Sequence, residues 1–255
     1  MFCVDLNSDL GESFGAYQMG CDDLVIPMIT SANVACGWHA GDPLVMAKTI
    51  ALCQEARVAV GAHPGFPDLM GFGRRTMAVS PAEAKAYITY QLGALDAFCK
   101  SAGLKLQHVK PHGAMYNQAG KDYDLALAIC EAIKAYNDEL IVMALSGGAL
   151  IRAAEDVGLR AASEVFADRA YEEDGSLVNR RKPGAMITDE EEAIARVVRM
   201  IKEQKVTAIT GRDIPLKADS VCVHGDGPKA LAFVTRIRET LTEEGIQIRP
   251  LSQMG

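Results

Sequence analysis

Apolar positions along this chain follow two alternating rhythms. Short runs rich in Val, Ile, Leu and Ala occupy residues 2–7, 30–36, 58–62, 106–110, 140–145, 161–166 and 220–224, and they have the length and composition of strands. Between them apolar residues recur every three or four positions, as in Ala84, Ile88, Leu92, Leu95, Cys99 and Ala102. The same holds for Leu125, Ile129, Ile133 and Tyr136, and for Ala193, Ile194, Val197, Val198 and Ile201. That spacing lays one stripe along a helix. Segment ends agree with it: Ser80-Pro81-Ala82-Glu83 has the form of a capping box with a first-turn proline. Thr188-Asp189-Glu190-Glu191 repeats the logic and adds acids near the positive end of the helix dipole. Asp42-Pro43 and Gly227-Pro228 start two more helices, while Gly103, Gly158 and Gly245 stand where a chain leaves a helix.

Strand and helix repeated about seven times imply a parallel sheet with helical crossovers. A closed (β/α) barrel and an open doubly wound sheet both satisfy that order. The 255 residues suit a barrel, no linker or composition shift divides them, and polar residues stand at the C-terminal end of nearly every strand. The expected architecture is therefore an α/β, TIM-barrel-like (β/α) barrel of about seven units, one domain over residues 1–255, with 246–251 available as a short last strand. Two connections, 63–79 and 167–187, are longer than a turn requires, and both follow strands, so both belong at the active face.

Charge and composition narrow the partners. With 33 acidic and 26 basic residues the formal net charge is −7, and the densest basic cluster, Arg180-Arg181-Lys182, lies beside Glu172, Glu173 and Asp174. A nucleic-acid binder would carry a basic stripe instead. No apolar run approaches the ~18 residues of a membrane span, and Met1-Phe2-Cys3-Val4-Asp5 has no export core, so a cytoplasmic chain is expected. The seven cysteines include no C-x-x-C pair, which leaves them as small buried hydrophobes.

Four of the five histidines fall at or just past a strand's end, each near a glycine: His39, His63, His112 and His224. In a barrel these ends ring one cavity, and imidazole suits proton transfer or metal binding near neutral pH. In the first strand, period two puts Asp5, Asn7 and Asp9 on one side and Val4 and Leu6 on the other. Polar groups on a covered strand need partners, although Asp9 also suits an Asx turn and helix cap. Leu10-Gly11-Glu12 reads as a loop that brings Glu12 to the same mouth. His108, Lys110 and His112 share a face opposite Gln107, Val109 and Pro111, so Lys110 either holds an anion or carboxylate inside or extends outward at the strand's end.

Asp226 with His39, His63 and His112 offers a set for a divalent metal such as zinc or manganese. There is no H-E-x-x-H and no H-x-H, so each ligand would come from a different strand. The P-loop motif is missing, and too little chain follows Gly225-Asp226-Gly227-Pro228-Lys229-Ala230 for a dinucleotide fold. Ser146-Gly147-Gly148 is either a tight turn or a phosphate site at a helix start. Arg169, Arg180 and Arg181 either clamp a carboxylate or phosphate or form a solvated loop face. No G-x-S-x-G elbow and no evident Cys–His motif supports covalent hydrolysis.

Several blocks resemble the LamB/YcsF family across essentially the whole chain. They are the stretch from Asp5 through Asn7, Asp9 and Glu12 to Gly15, and that from Ser31 through Asn33 and His39 to Asp42. Gly61-Ala62-His63-Pro64-Gly65-Phe66-Pro67-Asp68 and Val109-Lys110-Pro111-His112-Gly113-Ala114-Met115-Tyr116-Asn117 continue the likeness. Glu164-Val165-Phe166-Ala167-Asp168-Arg169-Ala170-Tyr171 and Cys222-Val223-His224-Gly225-Asp226-Gly227 complete it. The resemblance implies a barrel akin to polysaccharide deacetylases and the role of the A subunit in an ATP-dependent 5-oxoprolinase. Such an enzyme cleaves 5-oxo-L-proline to L-glutamate together with subunits B and C. On that reading Asp5 or Asp226 holds a histidine in its tautomer, and His39, His63 or His112 is the base. Asn7, Glu12, Lys110, Glu164, Arg169, Arg181 and His224 bind substrate or phosphate, with ATP as cosubstrate and a divalent metal as a further candidate. Two other readings fit the same residues: a stand-alone metal-dependent deacetylase or amidase, and a non-catalytic component that binds 5-oxoproline for its partners.

Overall fold

Seven parallel strands close on themselves in this computed structural model, which describes residues 2–223 and 228–254. They are β1 (Cys3–Leu10), β2 (Ser31–Ala35), β3 (Ala59–His63), β4 (Leu106–Val109), β5 (Ile141–Leu145), β6 (Ala161–Phe166) and β9 (Ser220–Cys222). Between β6 and β9 lies an antiparallel hairpin, β7 (Lys205–Thr207) and β8 (Asp213–Pro215), which the apolar pattern did not signal. Closure runs through β9, whose Ser220 pairs with Glu164 on one side and Asp5 on the other. The expected barrel of about seven units is thus the fold, and the open sheet is not. A short β10 (Gln247–Ile248) joins β1 at Cys3 and Val4, inside the segment expected as a last strand.

The connecting helices are α1 (Asp22–Val25), α2 (Pro43–Ala56), α3 (Pro81–Ser101), α4 (Gly113–Ala119), α5 (Tyr123–Tyr136), α6 (Ala149–Asp156), α7 (Glu190–Glu203) and α8 (Pro228–Glu243). Their starts follow the predicted chemistry. Asp42 accepts from the N–H groups of Leu44 and Val45, and Ser80 and Glu83 form both bonds of a capping box. At α7 the cap is Asp189, which accepts from Glu192 N–H at 2.8 Å, so the start is displaced by one residue from the expected Thr188. Buried Ile88, Leu92, Leu95 and Cys99 of α3 and Ile129 and Ile133 of α5 form part of the core between helices and barrel. All seven cysteines are free, and five are buried. No helix among the described residues is long and apolar enough to cross a membrane.

What sets this barrel apart is its interior. TIM barrels commonly fill theirs with branched aliphatic side chains in layers. Here β1 buries Val4, Leu6 and Leu10 in the hydrophobic core but also buries Asp5 and Asn7 completely. Asp5 accepts hydroxyl hydrogen bonds from Thr30, Ser31 and Ser220, and Asn7 and Asn33 are joined at 2.7 Å. The strand runs three residues beyond the apolar run because Ser8, Asp9 and Leu10 pair with Ala32, Asn33 and Val34. Asp9 is therefore a strand residue and not a helix cap.

Strand β4 departs from simple alternation. Val60 pairs with Leu106 and the next residue, Gly61, with His108, so Gln107 is an extra residue opposite that step. Such a bulge re-aims its side chains. The Gln107 amide reaches Ser31 Oγ at 3.0 Å and touches His108 Nδ1 at 3.1 Å, so it shares the interior with His108 and does not face away as period two suggests. Gly61 makes room for that ring, because a Cβ there would lie 2.1 Å from His108 Nε2.

Candidate functional site: an acid–imidazole cluster at the barrel mouth

His63 closes β3, His112 precedes α4, His39 follows β2 and Glu12 follows β1, so the convergence follows from the parallel topology. One ligand atom from each lies within 4.8 Å of the others. His39 and His112 stack with ring centroids 3.6 Å apart and planes 3° from parallel. The stack needs a bare backbone at Gly73, which sits at φ 63° and would place a Cβ 2.7 Å from His112 and 2.8 Å from His39.

Acceptors around the rings assign their tautomers. His63 Nδ1–H donates to the Lys110 carbonyl at 2.7 Å, and His112 Nε2–H donates to the Phe72 carbonyl at 2.8 Å. The remaining nitrogens, His63 Nε2 and His112 Nδ1, face each other at 3.0 Å. Two lone pairs at that distance repel unless a proton or a cation lies between them. Carboxylates surround the same point: Asp9 Oδ2 is 3.3 Å from His63 Nε2, and Glu12 Oε1 is 3.2 Å from His112 Nδ1 and 3.0 Å from His39 Nε2. The buried His39 Nδ1 has no hydrogen-bond partner. Three imidazoles and a carboxylate match the donor preference of a divalent zinc- or manganese-type ion, so the residues present fit a metal. Glu12 is the carboxylate of the set among the described residues; Asp226, the carboxylate expected from sequence, and His224 lie outside them.

Burial and neighbouring charge set the protonation pattern. Burial, reinforced by the charge of His112, pushes His39 down to about 3, so its ring is neutral. Burial works against ionising Glu12 and Asp9, yet hydrogen bonds and charge from His112 and His39, and from His63 and Lys110, hold both below the usual carboxylate range. Burial likewise opposes charge on His63, but Asp9 raises its pKa.

Lys110 points inward. Nζ lies 2.8 Å from Asp9 Oδ1, 2.6 Å from Glu164 Oε1, 3.2 Å from Asn7 Oδ1 and 3.4 Å from Cys222 Sγ. Burial alone would lower its pKa, but Asp9 and Glu164 raise it well above the ordinary value. The lysine holds two carboxylates, and Glu164 also accepts from Tyr116 OH at 2.7 Å. A cavity of about 640 Å³ opens over Asp9, Glu12, His63, Lys110 and His112, and its wall includes Arg169, Arg180 and Arg181. Both long connections reach it, through Arg74 and through residues 174–181.

Among the residues singled out from sequence, Asn7 and Glu164 are fully buried and do not line the cavity, and neither does Asp5. The hydrogen-bond partners of Asp5 are three hydroxyls and no histidine, so orienting an imidazole falls instead to backbone carbonyls and to Asp9 and Glu12. Sequence reasoning passed over Asn33, which donates to Asn7 and Asp9 and accepts from His108 Nε2. Its signal was available, since Ser31 and Asn33 alternate along β2 as the polar residues do along β1.

The family model described as LamB/YcsF matches residues 4–255. The A subunit of a 5-oxoprolinase from Clostridium beijerinckii is 65% identical over 254 residues, with 100% of each chain covered. That from Pyrococcus horikoshii is 57% identical over 250 residues, with 98% of each covered. The crystal structure of a lactam utilization protein from Thermus thermophilus superposes with a TM-score of 0.92 at 46% identity, covering 97% of this chain and 99% of that one. With the match running from the first interior strand through the last, this chain belongs to the LamB/YcsF family.

Proposed function

We propose that this chain is the A subunit of an ATP-coupled 5-oxoprolinase, the component that opens the lactam ring of 5-oxo-L-proline to give L-glutamate, acting with partner subunits B and C. The observation that carries the reading is the convergence of Glu12, His39, His63 and His112, of which Glu12, His63 and His112 line the floor of one cavity with Asp9 and Lys110 while His39 is buried behind them. A lactam is a poor electrophile, and transfer of a phosphoryl group from ATP to its oxygen withdraws electrons from the ring carbon and opens that carbon to attack by water. Water must then be held and deprotonated against the ring carbon. Glu12 and the inward-facing nitrogens of His63 and His112 are placed to accept that proton, and their fixed tautomers aim them at one point. Lys110 keeps Asp9 ionised next to His63. A divalent ion held by Glu12, His39, His63 and His112 would occupy those lone pairs and would supply Lewis-acid activation of water in place of the base.

The test is release of glutamate from isotope-labelled 5-oxoproline with ATP and each combination of partner subunits. Glu12→Gln and His112→Gln should abolish it with unchanged circular dichroism. Wild-type turnover by both variants refutes the assignment. The ligand set also favours a second reading, amide cleavage by this chain alone with a metal. Turnover of 5-oxoproline or N-acetylated substrates without partners or ATP, lost on chelation, would establish that reading in place of the first.

A further inference from the structure

The wall of the cavity differs from its floor. Away from the acid–imidazole cluster it carries Arg169, Arg180, Arg181 and Lys121 against one carboxylate, Asp174, together with the Ser146-Gly147-Gly148 turn. Arg169 is more than nine-tenths buried, at 7% exposure. Its Nη2 donates to the Val178 carbonyl at 2.8 Å, whereas its buried Nε–H meets no acceptor. Burial and the nearby Arg180 charge both lower the Arg169 pKa, with Asp168 offsetting part of this. The buried Arg169 guanidinium, held by the Val178 carbonyl through Nη2, therefore keeps an Nε–H donor for an anion. The turn adds the start of α6, whose N-cap Gly148 offers no side-chain cap, so the positive end of its dipole is answered by no side chain. The space itself, about 640 Å³, is several times what a five-membered lactam with one carboxylate needs.

We propose that this basic wall is an oxyanion subsite for the phosphoryl group of an O-phosphorylated lactam, so that the chain receives an activated lactam and not ATP. The inference rests on the lactam-opening reading. Only one oxygen separates the phosphorus from the ring carbon, so a phosphoryl group on the basic wall sets that carbon toward the acid–imidazole floor. Water adds to the carbon, and the carbon–nitrogen bond then breaks, its electron pair and a proton going to the amine. A second water converts the remaining acyl phosphate to carboxylate and inorganic phosphate.

The full chain is titrated calorimetrically with inorganic phosphate, with acetate at equal ionic strength, and with ATP. Saturable phosphate binding is expected, at least tenfold tighter than acetate and no weaker than ATP. Arg169→Gln should weaken phosphate at least tenfold. Arg181→Gln, at an exposed position where the fold is not at stake, should weaken it about threefold. Phosphate binding no tighter than acetate, or unchanged in both variants, overturns the subsite. Much tighter ATP binding with ADP formed by the chain alone overturns it too, since the wall would then serve the nucleotide. In the reconstituted complex both variants should raise the KM for 5-oxoproline or lower kcat. If the parent complex releases glutamate and both variants match its kcat and KM, the subsite fails while the lactam-opening reading stands. If the parent complex binds phosphate but releases no glutamate under any subunit combination, that reading fails and the phosphoryl-lactam assignment falls with it.

Discussion

Asp5 is a carboxyl group inside the barrel, fully buried and away from the cavity, and Asp5→Asn measures what it costs. Thr30, Ser31 and Ser220 donate to it at 2.7, 2.6 and 2.5 Å. Each of these hydroxyls also accepts a hydrogen bond, from Leu6 N–H, the Gln107 amide and the Asn7 amide respectively. Ser31 and Ser220 therefore donate toward Asp5, and the Thr30 hydroxyl lies closer to Asp5, at 2.7 Å, than to its other acceptor, the Leu6 carbonyl at 3.2 Å. Even so, burial prevails and pushes the carboxyl up from 3.8 to about 6. That gap corresponds to about 3 kcal/mol.

The sign follows from proton counting. Between about pH 4 and 6 the folded chain retains a proton that the unfolded chain has released, so the contribution of Asp5 to stability falls as pH rises through that window. Above it the ionised group is a standing cost. Asparagine does not titrate, but its NH2 would meet the Ser220 O–H donor, a mismatch of about 1 kcal/mol. Urea unfolding of parent and variant at steps from pH 4 to 7.5 cancels every other titrating group in the difference. The variant should gain about 3 kcal/mol relative to the parent across that range, starting slightly less stable and ending more stable, with glutamate release by the complex within a few-fold of the parent. A stability difference that does not change with pH refutes the burial argument. Lost turnover in a stably folded variant refutes the placement of Asp5 outside the reacting site.

Gly61→Ala sets a Cβ against the His108 ring, 2.1 Å from Nε2, and should break the His108–Asn33 hydrogen bond, lowering stability by about 2–4 kcal/mol in thermal melts; an unchanged melting point refutes it. Lys110→Met leaves Glu164 buried beside Asp9 without a countercharge and should cost about 3–5 kcal/mol, partly recovered by adding Glu164→Gln. An additive double mutant would show that the two are not coupled. After dialysis against a chelator, zinc or manganese should bind one ion per chain and raise the melting point, and His112→Gln should lose both effects. Equal stoichiometry in the variant removes His112 from the ligand set.

The strands and most helices were legible because each carried its own period and its own caps. What escaped depended on neighbours. A single extra residue in β4 turns Gln107 inward, and the bulge exists only in the register between β3 and β4. The β7–β8 hairpin is three residues a side and has no apolar stripe to announce it. At the site, histidines at strand ends and a glycine-led Gly11-Glu12 step were enough to place His39, His63, His112 and Glu12 together. Periodicity also put Asp5, Asn7 and Asp9 on one side, but it says nothing of depth along the barrel. Depth separates Asp5, closed in among hydroxyls, from Asp9, which meets Lys110 and His63 at the mouth. The carbonyls of Lys110 and Phe72, which set the tautomers, are backbone groups, and no residue type marks them.

The polar interior explains why so many charged groups can be held at one end of a small barrel. From the base upward, Asp5 holds Ser220, Ser220 accepts from Asn7, and Asn7 accepts from both Asn33 and Lys110. Asn33 then donates to Asp9, which shares Lys110 with Glu164. Each interior group has its orientation decided by the one below it, so Asp9 and Lys110 arrive at the mouth with little freedom to turn. An aliphatic interior would hold the strands as well but would leave those charges to find their own rotamers. The chain of hydrogen bonds also crosses the closure of the sheet, because Ser220 and Cys222 belong to the strand that completes the barrel. The interactions that close the barrel are thus continuous with those that aim the acid–imidazole cluster, and a change at Asn33 would reach Asp9 on one side and His108 on the other.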